Sequence, residues 1–176
     1  MSQKAKQRLH ESIFAYASIP NTITIANAVF GLLSIFHATI GEYKISAALM
    51  LAAVVADFAD GRIARWLKEE SDFGKHLDSL SDTISFGIAP AVFGYSQGLD
   101  SNVEVFVLCF FLSCGILRLA RFGIIKRHGF VGVPITTNGI IFPVLFLLFG
   151  MFQWWAIILY LVMGVLMISS LRIPKV

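Results

Sequence analysis

The chain has 176 residues, of which 57% are hydrophobic and only 14% charged, with a mean hydropathy of +0.77 and a net charge of +3. This excludes a disordered chain and an ordinary soluble domain, and it predicts an all-α polytopic membrane protein. No Pro-, Gly- or Ser-rich linker and no repeat interrupts the apolar runs, so residues 1–176 are expected to form a single domain. Residues 1–18 are polar and lack the short apolar core of a cleavable signal.

In residues 2–17, Ala5, Leu9, Ile13 and Ala17 recur at steps of four, with Lys4, Lys6 and Arg8 elsewhere. That pattern predicts an amphipathic helix lying at the membrane surface. Pro20 with Asn21-Thr22 restarts the chain, and apolar runs follow at about 21–40, 45–66, 76–98, 103–123, 133–150 and 152–171. Each is close to the roughly 20 residues that cross a bilayer, so six spans are expected. Pro90 lies inside the third run, where it should disturb the helix and free a carbonyl for a neighbour to satisfy. Cys109 and Cys114 would point to different sides of one helix, so no disulfide between them is expected.

The basic residues predict orientation. With the N-terminus in the cytoplasm, thirteen of the fourteen lysines and arginines collect there, among them Arg62, Arg65, Arg118, Arg121, Lys126 and Arg127, and only Lys44 lies opposite. Both termini and the loop after the second run are therefore expected to face the cytoplasm of a multi-pass cell-membrane protein.

Residues 57–82 read D-x2-D-G-x2-A-R-x8-G-x3-D-x3-D. On a helix, Asp57, Asp60, Gly61 and Ala64 share a face, and Asp78 and Asp82 share a face of the next helix. Measured from Ile45, Asp57 lies about 18 Å into a hydrocarbon core of roughly 30 Å. An intramembrane aspartate costs about 2.5–3.5 kcal/mol, and four together also repel. Arg62 and Arg65 cannot balance four converging carboxylates. A water-open cavity holding divalent cations can, and all-oxygen ligands favour Mg²⁺, Mn²⁺ or Ca²⁺ over zinc. Two such ions would neutralise the four charges, a common arrangement in phosphoryl chemistry. Gly61 and Ala64 lie on the acidic face, where small residues let a ligand approach the backbone. Arg65 adds a planar fork for phosphate.

This motif, Asp57-x2-Asp60-Gly61-x2-Ala64-Arg65-x8-Gly74-x3-Asp78-x3-Asp82, resembles the signature of the CDP-alcohol phosphotransferase family at every position. The segment from Phe73 to Ala91, Leu117-Arg118-Leu119-Ala120-Arg121-Phe122 and Phe130-x-Gly132-x-Pro134 resemble its membrane-embedded phosphatidylserine synthase branch. So does Pro20-Asn21-x2-Thr24-x2-Asn27-x3-Gly31. Gly123 stands where the branch has Asn, and Ile135-Thr136-Thr137-Asn138 replaces a stretch richer in Pro and Ala.

The resemblance implies a homodimer of six-helix subunits. It also implies an enzyme that moves a phosphatidyl group from CDP-diacylglycerol, or an ether-lipid equivalent such as CDP-archaeol, to L-serine, releasing CMP. It assigns two divalent cations, Mg²⁺ or Mn²⁺, to Asp57, Asp60, Asp78 and Asp82, with Asp82 also the base for the serine hydroxyl. Asp57, Gly61, Ala64, Arg65, Gly74, Thr24 and Asn27 would bind the CDP-lipid. Serine's carboxylate needs a cation, and Arg118 and Arg121, three apart on one face, are the candidates. Alternatives are another acceptor, glycerol 3-phosphate or inositol phosphate, or a cation transporter, since intramembrane acids also mark ion pathways.

Overall fold

The computed structural model describes residues 17–124, 130–150, 155–169 and 172–173. These form six helical runs and one two-residue antiparallel pair, β1 (Phe130–Val131) with β2 (Arg172–Ile173). The interfacial helix expected over residues 2–17 falls, but for its last residue, outside the described residues. Lys126, Arg127 and His128 also lie outside them.

Helix α1 (Ile19–Thr39) starts at Ser18, whose hydroxyl accepts from the Asn21 amide at 3.3 Å, with Pro20 in the first turn. Its buried face is made of Asn21, Thr24, Asn27, Gly31, Ser34 and Ala38, while Ile25, Val29, Leu32 and Phe36 are exposed. Polar or small residues inside and large apolar residues outside reverse the soluble pattern and suit a helix whose outer face meets lipid. α1 packs chiefly on α2 (Tyr43–Leu67), where the Ser34 hydroxyl reaches the Ser46 carbonyl at 3.0 Å.

α2 ends at Lys68, which takes a left-handed conformation (φ 57°) and donates its amide back into the last turn. A short loop leads to Ser71, which caps α3 (Asp72–Asp82) by accepting from the Gly74 amide at 3.0 Å. α3 continues without a break through a π-helical turn, π1 (Thr83–Ile88), into α4 (Ala89–Ser96). The irregularity expected around Pro90 is this π-turn. In a regular helix residue 90 would donate to the Phe86 carbonyl, but a proline has no N–H. The Asn138 side chain donates to that carbonyl instead, at 3.3 Å.

α5 (Asn102–Ile124), the 3₁₀ turn Ile135–Thr137, α6 (Asn138–Phe149) and α7 (Ala156–Ile168) complete the bundle. An aromatic core lies among them. Phe142 stacks on Tyr160 at 4.1 Å, Phe111 meets both edge-on, and the Tyr160 hydroxyl donates to the Pro90 carbonyl at 2.6 Å. Cys109 is exposed and Cys114 buried, and both are free thiols.

Among the described residues, two helices are long and apolar enough to cross a bilayer, Ile19–Thr39 and Asn102–Arg121. The other runs fall short of that measure for physical reasons. α2 has 25 residues, but Asp57, Asp60, Arg62 and Arg65 interrupt its apolar character. Residues 72–96 carry Asp72, Lys75, Asp78 and Asp82 and are divided at π1. Ile135–Phe149 and Ala156–Ile168 are apolar but shorter. The chain is thus an all-helical membrane protein in which the acidic motif itself lowers the hydropathy of two helices.

Candidate active site

The cleft that opens between α1, α2 and α3 is floored by carboxylates. Asp57 and Asp60 come from one face of α2 and Asp78 from α3, as their spacing requires. One oxygen from each lies within 4.8 Å of the other two. Asp82 sits one turn deeper, 7% exposed, beside Asp57. The Asp57 carboxyl is within hydrogen-bonding range of both Asp78 and Asp82. The ion pairs His37–Glu42 and Lys75–Asp72 lie outside this cluster. Arg62, the basic residue nearest in sequence, lies over the Phe58 ring at 5.9 Å. Arg118 lies within electrostatic range of Asp82, and one guanidinium does not balance four converging acids.

The residues present fit divalent cations. The donors are all carboxylate oxygens, which suit hard ions. Oδ2 of Asp60 is buried with no hydrogen-bond partner among the described residues, a costly state for a carboxylate unless a cation faces it. The Thr24 hydroxyl, which donates to the Pro20 carbonyl at 3.1 Å, also borders Asp60.

Above the carboxylates the walls are small. Gly61, Ala64 and Arg65 line one side and Thr24 and Gly74 the other. A Cβ added to Gly61 would meet nothing within 4 Å, so this glycine opens onto the cleft and does not serve helix packing. Gly74 differs: a Cβ there would come within 3.1 Å of Asn21 Oδ1 and 3.2 Å of Ser71 Oγ, so its smallness lets α3 approach α1.

Of the residues singled out from the sequence, Thr24, Asp57, Asp60, Gly61, Ala64, Arg65, Gly74 and Asp78 all border the cleft. Asp82 and Asn27 lie beneath it, with Asn27 Nδ2 donating to Asp82 Oδ1 at 3.5 Å. Arg118 is 7% exposed and lies within electrostatic range of Asp82. Arg121 donates to the Ile168 and Ser169 carbonyls, both at 3.4 Å, joining α5 to the end of α7. The sequence reading missed Asn21, Glu69, Glu70, Ser71 and Lys75 on the rim. Ser71, directly after a charged helix end, is an N-cap signal for the helix that carries Asp78.

Residues 17–166 match the CDP-alcohol phosphatidyltransferase family. The chain is 37% identical over 164 residues to a CDP-diacylglycerol–serine O-phosphatidyltransferase of Methanocaldococcus jannaschii, covering 93% of this chain and 77% of that protein. It is 36% identical over 171 residues to an archaetidylserine synthase of Methanothermobacter thermautotrophicus, covering 94% and 73%. A CDP-diacylglycerol–serine O-phosphatidyltransferase of Bacillus subtilis is 36% identical over 131 residues, covering 72% and 74%.

Proposed function

The chain belongs to the CDP-alcohol phosphatidyltransferase family, and from that premise we infer that it is a serine O-phosphatidyltransferase. It transfers a phosphatidyl-type group from a CDP-activated lipid to the hydroxyl of L-serine and releases CMP. The observation that carries this reading is the carboxylate cluster under a glycine-opened cleft. Three acids share one point, Oδ2 of Asp60 is buried without a hydrogen-bond partner among the described residues, and the wall above leaves room for a diphosphate. The archaetidylserine synthase among the relatives supports a second donor of the same headgroup chemistry, an ether-linked CDP-lipid.

Asp57, Asp60, Asp78 and Asp82 would hold two divalent cations, Mg²⁺ or Mn²⁺, which would supply charge neutralisation for the diphosphate and for departing CMP. Gly61, Ala64, Arg65, Gly74 and Thr24 hold the cytidine diphosphate, with the Arg65 guanidinium on a phosphate. Arg118 binds the serine carboxylate, while Arg121 beside it ties α5 to the end of α7. The serine oxygen bonds to the lipid-side phosphorus as the bond from that phosphorus to the CMP oxygen breaks. Asp82 takes the hydroxyl proton.

With six crossings, this site opens at the cytoplasmic surface and both termini are on that side. The orientation rests on the thirteen basic residues that then face the cytoplasm. Aqueous serine and CMP use the cleft mouth, while the lipid chains pass between helices into the bilayer. The working unit is a homodimer, as the family resemblance implies.

Purified protein given a CDP-lipid and labelled L-serine tests the assignment. Label appearing in lipid in step with CMP supports it. Preferred labelling from glycerol 3-phosphate or inositol phosphate contradicts the acceptor, and metal-driven ion flux without CMP release contradicts the enzyme.

A further inference from the structure

Beneath the cleft, small polar side chains join α1 to α3 and π1. Ser81 Oγ donates to the Thr24 carbonyl at 2.7 Å and Ser85 Oγ to the Asn27 carbonyl at 2.9 Å. The backbone on both sides of Asp82 is therefore tied to α1. Gly31 allows the close approach, since a Cβ there would run into Ser85. Between the two ties, Asn27 Nδ2 faces Asp82 Oδ1 at 3.5 Å. An ionised carboxylate only accepts, so the amide must present its nitrogen. At 3.5 Å the contact is at the long end of hydrogen-bonding distance.

Stability does not account for Asn27. It is 0% exposed, and its Oδ1 has no hydrogen-bond partner among the described residues. A buried amide oxygen left unpaired weakens a fold, and a leucine of similar size would not carry that penalty. Direct ligand contact does not account for it either, because Thr24 borders the cleft and Asn27 does not. We propose that Asn27 is a positioning residue that holds the Asp82 carboxylate toward the incoming acceptor hydroxyl, and so supports turnover without contributing to CDP-lipid binding. The proposal rests on the reading of Asp82 as the base.

The test is Asn27→Leu in the full-length purified protein, with Asn27→Ala as a second variant if the first does not fold. The expected result is a fall in kcat of about tenfold to a hundredfold, with the CDP-lipid KM within about twofold. The melting temperature is equal to or higher than that of the parent. Ser85→Ala, which leaves the amide in place, keeps most of kcat. A raised CDP-lipid KM with unchanged kcat would make Asn27 a ligand contact and overturn the proposal. An unchanged kcat in Asn27→Leu overturns it too, as does a loss in Ser85→Ala equal to that in Asn27→Leu. If Asp82→Asn itself retains turnover, the base assignment fails; if Asp82→Asn is inactive while Asn27→Leu is fully active, this proposal alone fails.

Discussion

The side-chain amide of Asn138 donates to the Phe86 carbonyl at 3.3 Å, serving the acceptor that Pro90 cannot serve. Asn138 is fully buried, and its partner lies in the π-turn directly after Asp82. Removing the amide leaves a buried carbonyl unpaired, so Asn138→Ala should destabilise the protein by about 1–3 kcal/mol. Pro90→Ala offers a new backbone donor, so the same substitution made in that background should cost less. Thermal unfolding of the four proteins in detergent measures the coupling; equal losses in both backgrounds would show that Asn138 and Pro90 act independently.

Gly61 and Gly31 should respond to alanine in opposite ways. A methyl on Gly61 points into open cleft, whereas one on Gly31 collides with Ser85. Gly61→Ala should keep its melting temperature and raise the CDP-lipid KM by about tenfold or more, equivalent to about 1.4 kcal/mol of lost binding. Gly31→Ala should lower the melting temperature. Paired unfolding and Michaelis measurements check both; a destabilised Gly61→Ala with normal KM would place that glycine in packing.

Much of this was legible in the sequence, because the strongest signals were spacings. Asp57, Asp60, Gly61 and Ala64 fall on one helical face by arithmetic, and their meeting with Asp78 needs only a short loop between two helices. Pro90 announced an irregular turn and a carbonyl in need of a donor. The donor itself, Asn138, lies 52 residues from Phe86, and no local pattern reaches that far. The same limit applies to Asn27 and Asp82, 55 residues apart. Arg118 and Arg121 looked equivalent on one face, yet Arg118 lies near Asp82 while Arg121 donates to the end of α7. The crossings were harder to read from hydropathy, because the charges that make the site lower the apolarity of the helices that carry it.

Arg118 and Arg121 should therefore separate in kinetics. Arg118→Ala is expected to raise the serine KM far more than the CDP-lipid KM, because the proposed function assigns this buried guanidinium near Asp82 to the acceptor's carboxylate. Initial rates with each substrate varied in turn decide it. An unchanged serine KM removes Arg118 from the acceptor site.

Asp82→Asn should abolish turnover while leaving CDP-lipid binding largely intact, because the amide keeps the side chain's shape but cannot take the hydroxyl proton. Binding of a CDP-lipid measured by calorimetry alongside turnover separates the two. Retained turnover with lost nucleotide binding would move Asp82 from the base role to the ligand shell.

The central claim is that the carboxylate cluster of α2 and α3 is a divalent-metal site for phosphatidyl transfer to serine. CMP release from a CDP-lipid by chelator-treated protein, titrated with Mn²⁺ across a panel of alcohols, tests it most directly. The account predicts no release without metal, saturable recovery on adding it, and L-serine far ahead of glycerol 3-phosphate and inositol phosphate. Release that ignores the metal, or that prefers another alcohol, would contradict it.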